Sequence, residues 1–302
     1  MHLETPIAFA GNPLDRASTK RTDPDWIGEQ QNNPDALLIP FFKGDPLMID
    51  GDAGFLTLAA RSNFPADAPL IFLGIDPKGA AYFTIEASRE GVSAQQAPFS
   101  DLGEYTNLRN IAGGVKPETL SILGQARWLL DWHQRHMFCA VCGSASDIAD
   151  GGAKRHCRNC QSDHFPRTDP VAIVLVQHED HCLLGRGPHF PKGFLSCLAG
   201  FAEAGETIEE CAIREIHEEA GVRVTNVEYQ LSQPWPFPSS MMMGLFATAT
   251  DRTLTLDVTE IEEAQWVSRQ DVQNIFNGDK SLGIFLPPKF TIARQLLERW
   301  IA

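Results

Sequence analysis

Glu215, Glu218 and Glu219 stand at i, i+3 and i+4 in a segment with helical apolar spacing. That spacing puts three carboxylates on one arc of a helix, where they repel each other unless a cation sits among them. A dense set of hard oxygen donors suits Mg²⁺ or Mn²⁺. The limits of the helix are legible locally. Thr207 followed by Glu210 has capping-box spacing, and Gly221 tolerates a left-handed C-terminal cap. Ile208, Ala212, Ile213, Ile216 and Ala220 form the apolar arc expected to be buried. A loop of small and acidic residues, 200–206, leads into the helix. A merely solvated acidic face would show the same carboxylates, so the decision rests on the whole spacing from Gly200 to Val222.

A second set of potential ligands lies upstream. Four of the seven cysteines fall in two Cys-x-x-Cys pairs, Cys139 with Cys142 and Cys157 with Cys160. Two such knuckles bring four thiolates to a tetrahedral Zn²⁺ and leave no open position for water, so the expected site is structural. An odd cysteine total makes disulfide pairing the poorer reading, with a redox dithiol or unmetallated core cysteines as alternatives. Cys182, Cys197 and Cys211 lie in apolar contexts and are expected in the core.

The third chemical feature is aromatic. Pro234, Pro236 and Pro238 alternate with Trp235 and Phe237. Alternating prolines are expected to hold this stretch extended and to project both rings to one side as walls. Such walls suit a planar base or nicotinamide ring, whose stacking is worth about 1–3 kcal/mol. Packing under a domain or at a dimer contact is the other use of such a loop.

These residues need a scaffold. A chain of 302 residues is long enough for two ordinary domains, and 43% hydrophobic with 21% charged residues describes a soluble globular protein. The net charge of −14 disfavours broad electrostatic binding to nucleic acid or anionic membrane. No apolar run approaches transmembrane length, the start lacks a secretory pattern and the end is not the peroxisomal tripeptide, so a cytoplasmic protein with no membrane partner is expected. Short apolar runs at 36–39, 55–58, 70–73 and 81–85 predict an antiparallel sheet with little helix before residue 115. A helix is expected over 117–136, burying Leu120, Leu123, Ala126, Leu129, Leu130 and Trp132. Strands are expected at 170–176, 182–185, 222–230 and 241–249, with 195–200 leading into the glycine loop, and helices at 271–276 and 291–301.

From Gly200 to Val222 the chain fits Gly-x5-Glu-x7-Arg-Glu-(apolar)-x-Glu-Glu-x-Gly-(apolar) without mismatch. This resembles the Nudix box of hydrolases acting on nucleoside diphosphates linked to another group. Ser232-Gln-Pro-Trp-Pro-Phe-Pro-Ser-Ser240 is similar to the array that marks the NADH pyrophosphatase branch, and the four-cysteine ribbon agrees with it. The resemblance implies an α+β chain: a mainly β N-terminal domain (1–134), a zinc ribbon (135–165) and a Nudix α/β/α sandwich with a mixed sheet (166–302). It implies divalent-metal ligation by the Ala199 carbonyl, Glu215, Glu219 and Glu260, with Glu218 as a further candidate. Glu219 would couple a metal to activation of water, and Arg214 would orient the glutamates, through Glu206, without touching phosphate. Gln233, Pro234, Trp235, Pro236, Phe237, Pro238, Ser239, Ser240 and Ala293 would line the pocket. Phe165 and Phe201 would sandwich the nicotinamide ring across a homodimer interface. Two departures stand out. Phe165 takes the place of a familiar tyrosine, and the loop 143–156 carries no match to a substrate-contacting glutamate of the family.

The implied reaction is cleavage of NAD(H) to NMN(H) and AMP, with removal of NAD caps from RNA 5′ ends. Two rivals remain. One is a Nudix hydrolase of another diphosphate such as ADP-ribose, which should lack the Pro-Trp-Pro-Phe-Pro array. The other is a non-enzymatic zinc-ribbon protein that binds nucleic acid, which predicts missing box carboxylates and a basic surface.

Overall fold

The computed structural model describes residues 7–302. The first six residues, where the reading of a missing secretory pattern begins, lie outside them. The chain divides into two units: one runs to Arg167 and includes Pro236–Ser239, and the other comprises Thr168–Trp235 and Ser240–Ala302. Among the described residues, no helix is long and apolar enough to cross a membrane.

The first unit opens with helix α1 (Pro24–Gln31), capped by Asp23 and started by a proline at its first position. Strands β1 (Leu37–Phe42), β2 (Asp45–Ile49), β3 (Asp52–Ala53), β4 (Leu56–Thr57), β5 (Leu70–Ile75), β6 (Ala81–Glu86) and β7 (Glu104–Tyr105) form one sheet in the order β3-β2-β1-β6-β5, with β4 on β1 and β7 on β2. The short α2 (Leu108–Ile111) precedes α3 (Pro117–Arg135). Three expectations need correction. The sheet is mixed, because β1 pairs in parallel with β6; Leu37–Phe42 is a nearly continuous buried run, the pattern of a strand covered on both faces, and local alternation does not reveal its partner. Helix α1 was not foreseen because it buries no residue and so carries no apolar stripe. The run at 55–58 yields only the two-residue β4 before a 3₁₀ helix over Leu58–Asn63. Helix α3 buries the predicted set except Leu129, which is half-buried.

Strands β8 (Asp147–Ala149), β9 (Lys154–His156) and β10 (Asp163–His164) make a small antiparallel sheet beside the cysteine knuckles.

The second unit is built on β11 (Asp169–His178), β12 (His181–Arg186), β13 (Leu198–Phe201), β14 (Val224–Trp235), β15 (Ser240–Ala249) and β16 (Glu263–Ser268). Their order is β14-β15-β11-β12-β16, with β13 paired to β11. Only the long β11–β15 pairing, from Asp169 opposite Ser240 to Gln177 opposite Thr248, is parallel. Val171 to Val176 are all buried, as a central strand covered on both faces requires. On one face Ala172, Val174 and Val176 join Cys211, Ala212, Ile216 and Ala220 of α4 (Ile208–Ala220) in one core. The other face receives α6 (Ile292–Ile301), while α5 (Arg269–Phe276) packs beside α6. Gly244 of β15 makes the close approach possible, because a Cβ there would lie 3.1 Å from Ile292 and 3.2 Å from Leu296. This is an α/β/α sandwich with a mixed sheet.

Helix α4 has the predicted limits. Thr207 accepts from the Glu210 N–H, Glu210 reaches back to the Thr207 N–H, and Gly221 takes φ 71°. One residue of its apolar arc is corrected: Ile213 is 43% exposed. It lies at the rim of the arc, and Cys211 and the carboxylate-bearing Glu219 take the buried positions instead.

Candidate active site

Strand β13 and helix α4 are joined by the loop that carries the box, and this sets the first carboxylate. Glu215 lies so close to Gly200 that a Cβ there would come within 1.9 Å of its carboxyl carbon. Only glycine leaves room for it. Arg214 then fixes the cluster from the solvent side. Its Nε donates to Glu206 Oε1 (2.6 Å), Nη1 to Glu215 Oε1 (2.8 Å) and Glu218 Oε2 (3.0 Å), and Nη2 to Glu206 Oε2 (2.8 Å) and the Phe201 carbonyl (2.9 Å). Five contacts engage all five guanidinium N–H groups, leaving none for a phosphate. The guanidinium holds the Glu206 carboxyl down at about 2, helped by the Glu203 N–H, and the carboxylates in turn raise Arg214.

Glu219 is different. It is 6% exposed and its Oε2 is buried with no hydrogen-bond partner. Burial first, then the charges of Glu215 and Glu260, push its carboxyl up to about 8. Glu260 comes from a turn hooked onto the last carbonyls of α4. The Thr255 N–H donates to Ala220 O (2.8 Å), the Asp257 N–H to Glu219 O (3.0 Å) and the Ile261 N–H to Asp257 O (2.8 Å). The Asp257 carboxylate closes the turn by accepting from the Thr259 N–H and hydroxyl.

Ala199, Glu219 and Glu260 line one cavity of about 370 Å³, together with Gln233, Trp235 and Ala293. An orphaned buried carboxylate oxygen, a glycine cradle for Glu215 and an oxygen-only donor set fit a divalent cation of the hard class. Glu218 stands apart, with a side chain 58% exposed and paired to Arg214.

The aromatic array departs from expectation. Strand β14 carries Pro234 and Trp235, but 236–239 form a turn with a cis Phe237–Pro238 bond, so the stretch is not extended throughout. Trp235 lines the cavity, whereas Phe237 and its neighbours Pro236, Pro238 and Ser239 group with the first unit. There the Phe237 ring meets the edge of Phe9 at 5.8 Å and the guanidiniums of Arg109 and Arg127 at 4.4 and 4.9 Å. Gln233 is fully buried and its amide is engaged with backbone: Nε2 donates to Phe290 O (2.7 Å) and Oε1 accepts from the Ile292 N–H (2.8 Å). It thereby sets the start of α6, on which Ala293 sits. Ser240 is buried at the start of β15. Phe165 and Phe201 are 67% and 59% exposed.

The sequence reading missed the other rim of the cavity: Arg186, at the end of β12, and Phe190 and Phe194, from the loop that follows it. The signal was present in Gly185-Arg-Gly-Pro-His-Phe-Pro-Lys-Gly-Phe194, another Pro/Gly loop with spaced rings.

The cysteine knuckles assemble as predicted. One sulfur from each of Cys139, Cys142, Cys157 and Cys160 lies within 4.8 Å of every other. The pairs Cys139–Cys160 and Cys142–Cys157 are each 3.5 Å apart, close to the roughly 3.8 Å edge of a tetrahedron with Zn–S bonds near 2.3 Å. Cys182, Cys197 and Cys211 are buried core residues.

Comparison with known proteins agrees with this geometry. Residues 166–287 match the NUDIX domain, 35–132 the NADH pyrophosphatase-like rudimentary NUDIX domain, and 134–165 the NADH pyrophosphatase zinc ribbon domain. The chain is 34% identical to NAD-capped RNA hydrolase NUDT12 of Homo sapiens, over 97% of this chain and 73% of that protein. It is 32% identical to an NAD-capped RNA hydrolase of Schizosaccharomyces pombe, over 98% of this chain and 94% of that one. It is 33% identical to NAD(P)H pyrophosphatase NUDT13, mitochondrial, of Mus musculus, over 76% and 71%.

Two outcomes follow from the geometry. Gly200→Ala should displace the Glu215 carboxylate and impair divalent-ion binding, read as a smaller rise in melting temperature on adding Mg²⁺ than the wild type shows. With its carboxyl raised to about 8, Glu219 holds a proton at neutral pH in the ion-free protein. Its contribution to stability is therefore complete below the ordinary carboxylate range and is lost as pH rises through about 8. A cation bound there must displace that proton, so apparent Mg²⁺ affinity should rise by up to about tenfold per pH unit between about pH 6 and 8, then level off. A pH-independent affinity in calorimetric titration would contradict this.

Proposed function

This chain belongs to the NADH pyrophosphatase branch of the NUDIX family, and from that premise we propose that it is a pyrophosphohydrolase splitting NAD(H) into NMN(H) and AMP and removing NAD caps from RNA 5′ ends. The relatives named for these activities support the reading. The observation that carries it is the buried Glu219 carboxylate, its Oε2 without a partner, in the same cavity as Trp235.

The Ala199 carbonyl, Glu215, Glu219 and Glu260 would hold Mg²⁺ or Mn²⁺. When bound, the cation supplies neutralisation of diphosphate charge and acidification of water. The chain's own residues do the rest. Arg214 and Gly200 hold Glu215 in place, and the turn at 257–261 delivers Glu260 to the end of α4. Glu219, ionised, takes the proton of the attacking water. One P–O bond of the bridge breaks, water supplies the oxygen of the new bond, and two monophosphates result without a covalent enzyme intermediate. Glu218 serves by holding Arg214. Trp235 stacks a planar ring, and Gln233 fixes Ala293 in the pocket wall through its bonds to the start of α6. Phe165 and Phe201 present exposed rings suited to a ligand or to a second copy of the chain, which supports a homodimer that completes the pocket. We take residues 1–134, 135–165 and 166–302 as the working division of the chain. Four cysteines placed to hold a structural zinc suit a reducing compartment such as the cytoplasm.

Hydrolysis of NADH, NAD⁺, ADP-ribose and NAD-capped RNA with Mg²⁺ or Mn²⁺, wild type beside Glu219→Gln, tests the reading. NADH and capped RNA should be cleaved, and the variant should lose roughly 10²–10⁴-fold in rate. Equal turnover by the variant would refute the mechanism, and ADP-ribose cleaved far better than NADH would refute the specificity. For the ribbon, Cys139→Ser should lose zinc by elemental analysis and melt at a lower temperature; unchanged zinc content would refute the assignment.

A further inference from the structure

The loop between β12 and β13 builds a feature that the mechanism above does not use. Phe190 lines the catalytic cavity yet is 53% exposed. One face of its ring is covered by Phe194, with centroids 4.9 Å apart and planes 22° from parallel. Phe194 rests in turn on Phe285, 5.7 Å away. The support under this stack is backbone. The Leu195 N–H donates to Phe285 O (3.1 Å) and the Phe285 N–H to Gly193 O (2.9 Å). Gly193 has φ +87°, and a Cβ there would lie 2.5 Å from Gly283 O, so the two loops meet as closely as glycine permits.

The stack is also tied to the carboxylates. Arg186 is buried, and its Nη1 donates both to the Phe190 carbonyl (3.1 Å) and to Glu262 Oε2 (2.8 Å). The Glu262 N–H returns a bond to Arg186 O (2.9 Å). A Cβ on Gly187 would stand 3.0 Å from Glu260 O, so the loop lies against the backbone of the distal acid. A large ring held on one face, open on the other and fixed in register with Glu260 is the geometry of a stacking platform.

We propose that Phe190, backed by Phe194 and pinned by Arg186, is a further ring platform of this cavity, taking the planar base of one of the two nucleosides. This rests on the dinucleotide pyrophosphohydrolase reading and deepens it. A dinucleotide presents two rings on either side of one diphosphate, and the cavity holds carboxylates with an aromatic surface from the end of β14 and another from the loop after β12. Arg186 is a positioning residue in this scheme, because its contacts are to the loop and to the acid-bearing segment.

The test is equilibrium binding of AMP and of NMN to the full chain, beside NADH turnover, for wild type and for Phe190→Ala, Phe190→Leu and Phe190→Trp, with melting temperature as the folding control. One mononucleotide should bind roughly 5- to 150-fold more weakly to the Ala and Leu variants and recover with Trp, and the KM for NADH should follow it. Loss confined to AMP assigns the adenine ring, and loss confined to NMN the nicotinamide ring. Binding of both mononucleotides unchanged in Phe190→Ala, or Leu as good as Phe, overturns the platform even where NADH is hydrolysed. Ring-dependent binding without NADH turnover by the wild type overturns the pyrophosphatase reading and leaves the platform standing.

Discussion

A carboxylate that is buried, lies near two others and lacks a partner for one oxygen is the constraint on which the second unit depends. Isolated burial of charge is strongly unfavourable, and the group responds by holding its proton or by acquiring a cation. Glu219 meets that condition within the electrostatic reach of Glu215 and Glu260. The surrounding structure makes sense as an arrangement that keeps this unfavourable cluster assembled. Gly200 removes the side chain that would displace Glu215, Arg214 neutralises the solvent side, and the turn at 257–261 is bonded to the carbonyls of Glu219 and Ala220 so that Glu260 stays near.

The sheet supplies the rigidity this requires. Helix α4 is anchored by apolar residues on one side of β11, and α6 covers the other side through the gap at Gly244. Gln233 joins the end of β14 to the first turn of α6, so the wall carrying Trp235 and Ala293 is fixed by buried hydrogen bonds rather than by apolar contact alone. Buried polar links of this kind specify one geometry, because breaking them leaves unpaired groups in a dry interior.

Local rules carried helix α4 almost completely. The cap at Thr207, the stop at Gly221, the Arg214–Glu206 pair and the four-thiolate cluster all depend on residues close in sequence or on a fixed ligand count. Most of the failures have a different cause. The parallel β1–β6 pairing and the turn that takes Phe237 away from an extended array are decided by partners distant in sequence, whereas Ile213 is exposed because it sits at the rim of its helix's apolar arc. Proline alternation describes an extended preference at each residue, but it does not see the aromatic edge and two guanidiniums that receive Phe237. Helix α1 was invisible for the opposite reason: only the adjacent Trp26 and Ile27 pack against the core, half-buried, so it leaves no periodic mark. Arg186, Phe190 and Phe194 escaped because their role appears only when two loops close on each other.

On the proposed reading, Glu219 is an unfavourable charge in the ion-free fold and becomes a favourable one beside a divalent cation. Thermal melting of wild type and Glu219→Gln at about pH 9, each with and without Mg²⁺, measures this directly. Without the ion, the Gln variant should melt above the wild type, and Mg²⁺ should raise the wild type substantially more than the variant. A Gln variant that melts no higher without the ion, or an equal response of both proteins to Mg²⁺, would contradict this role for Glu219.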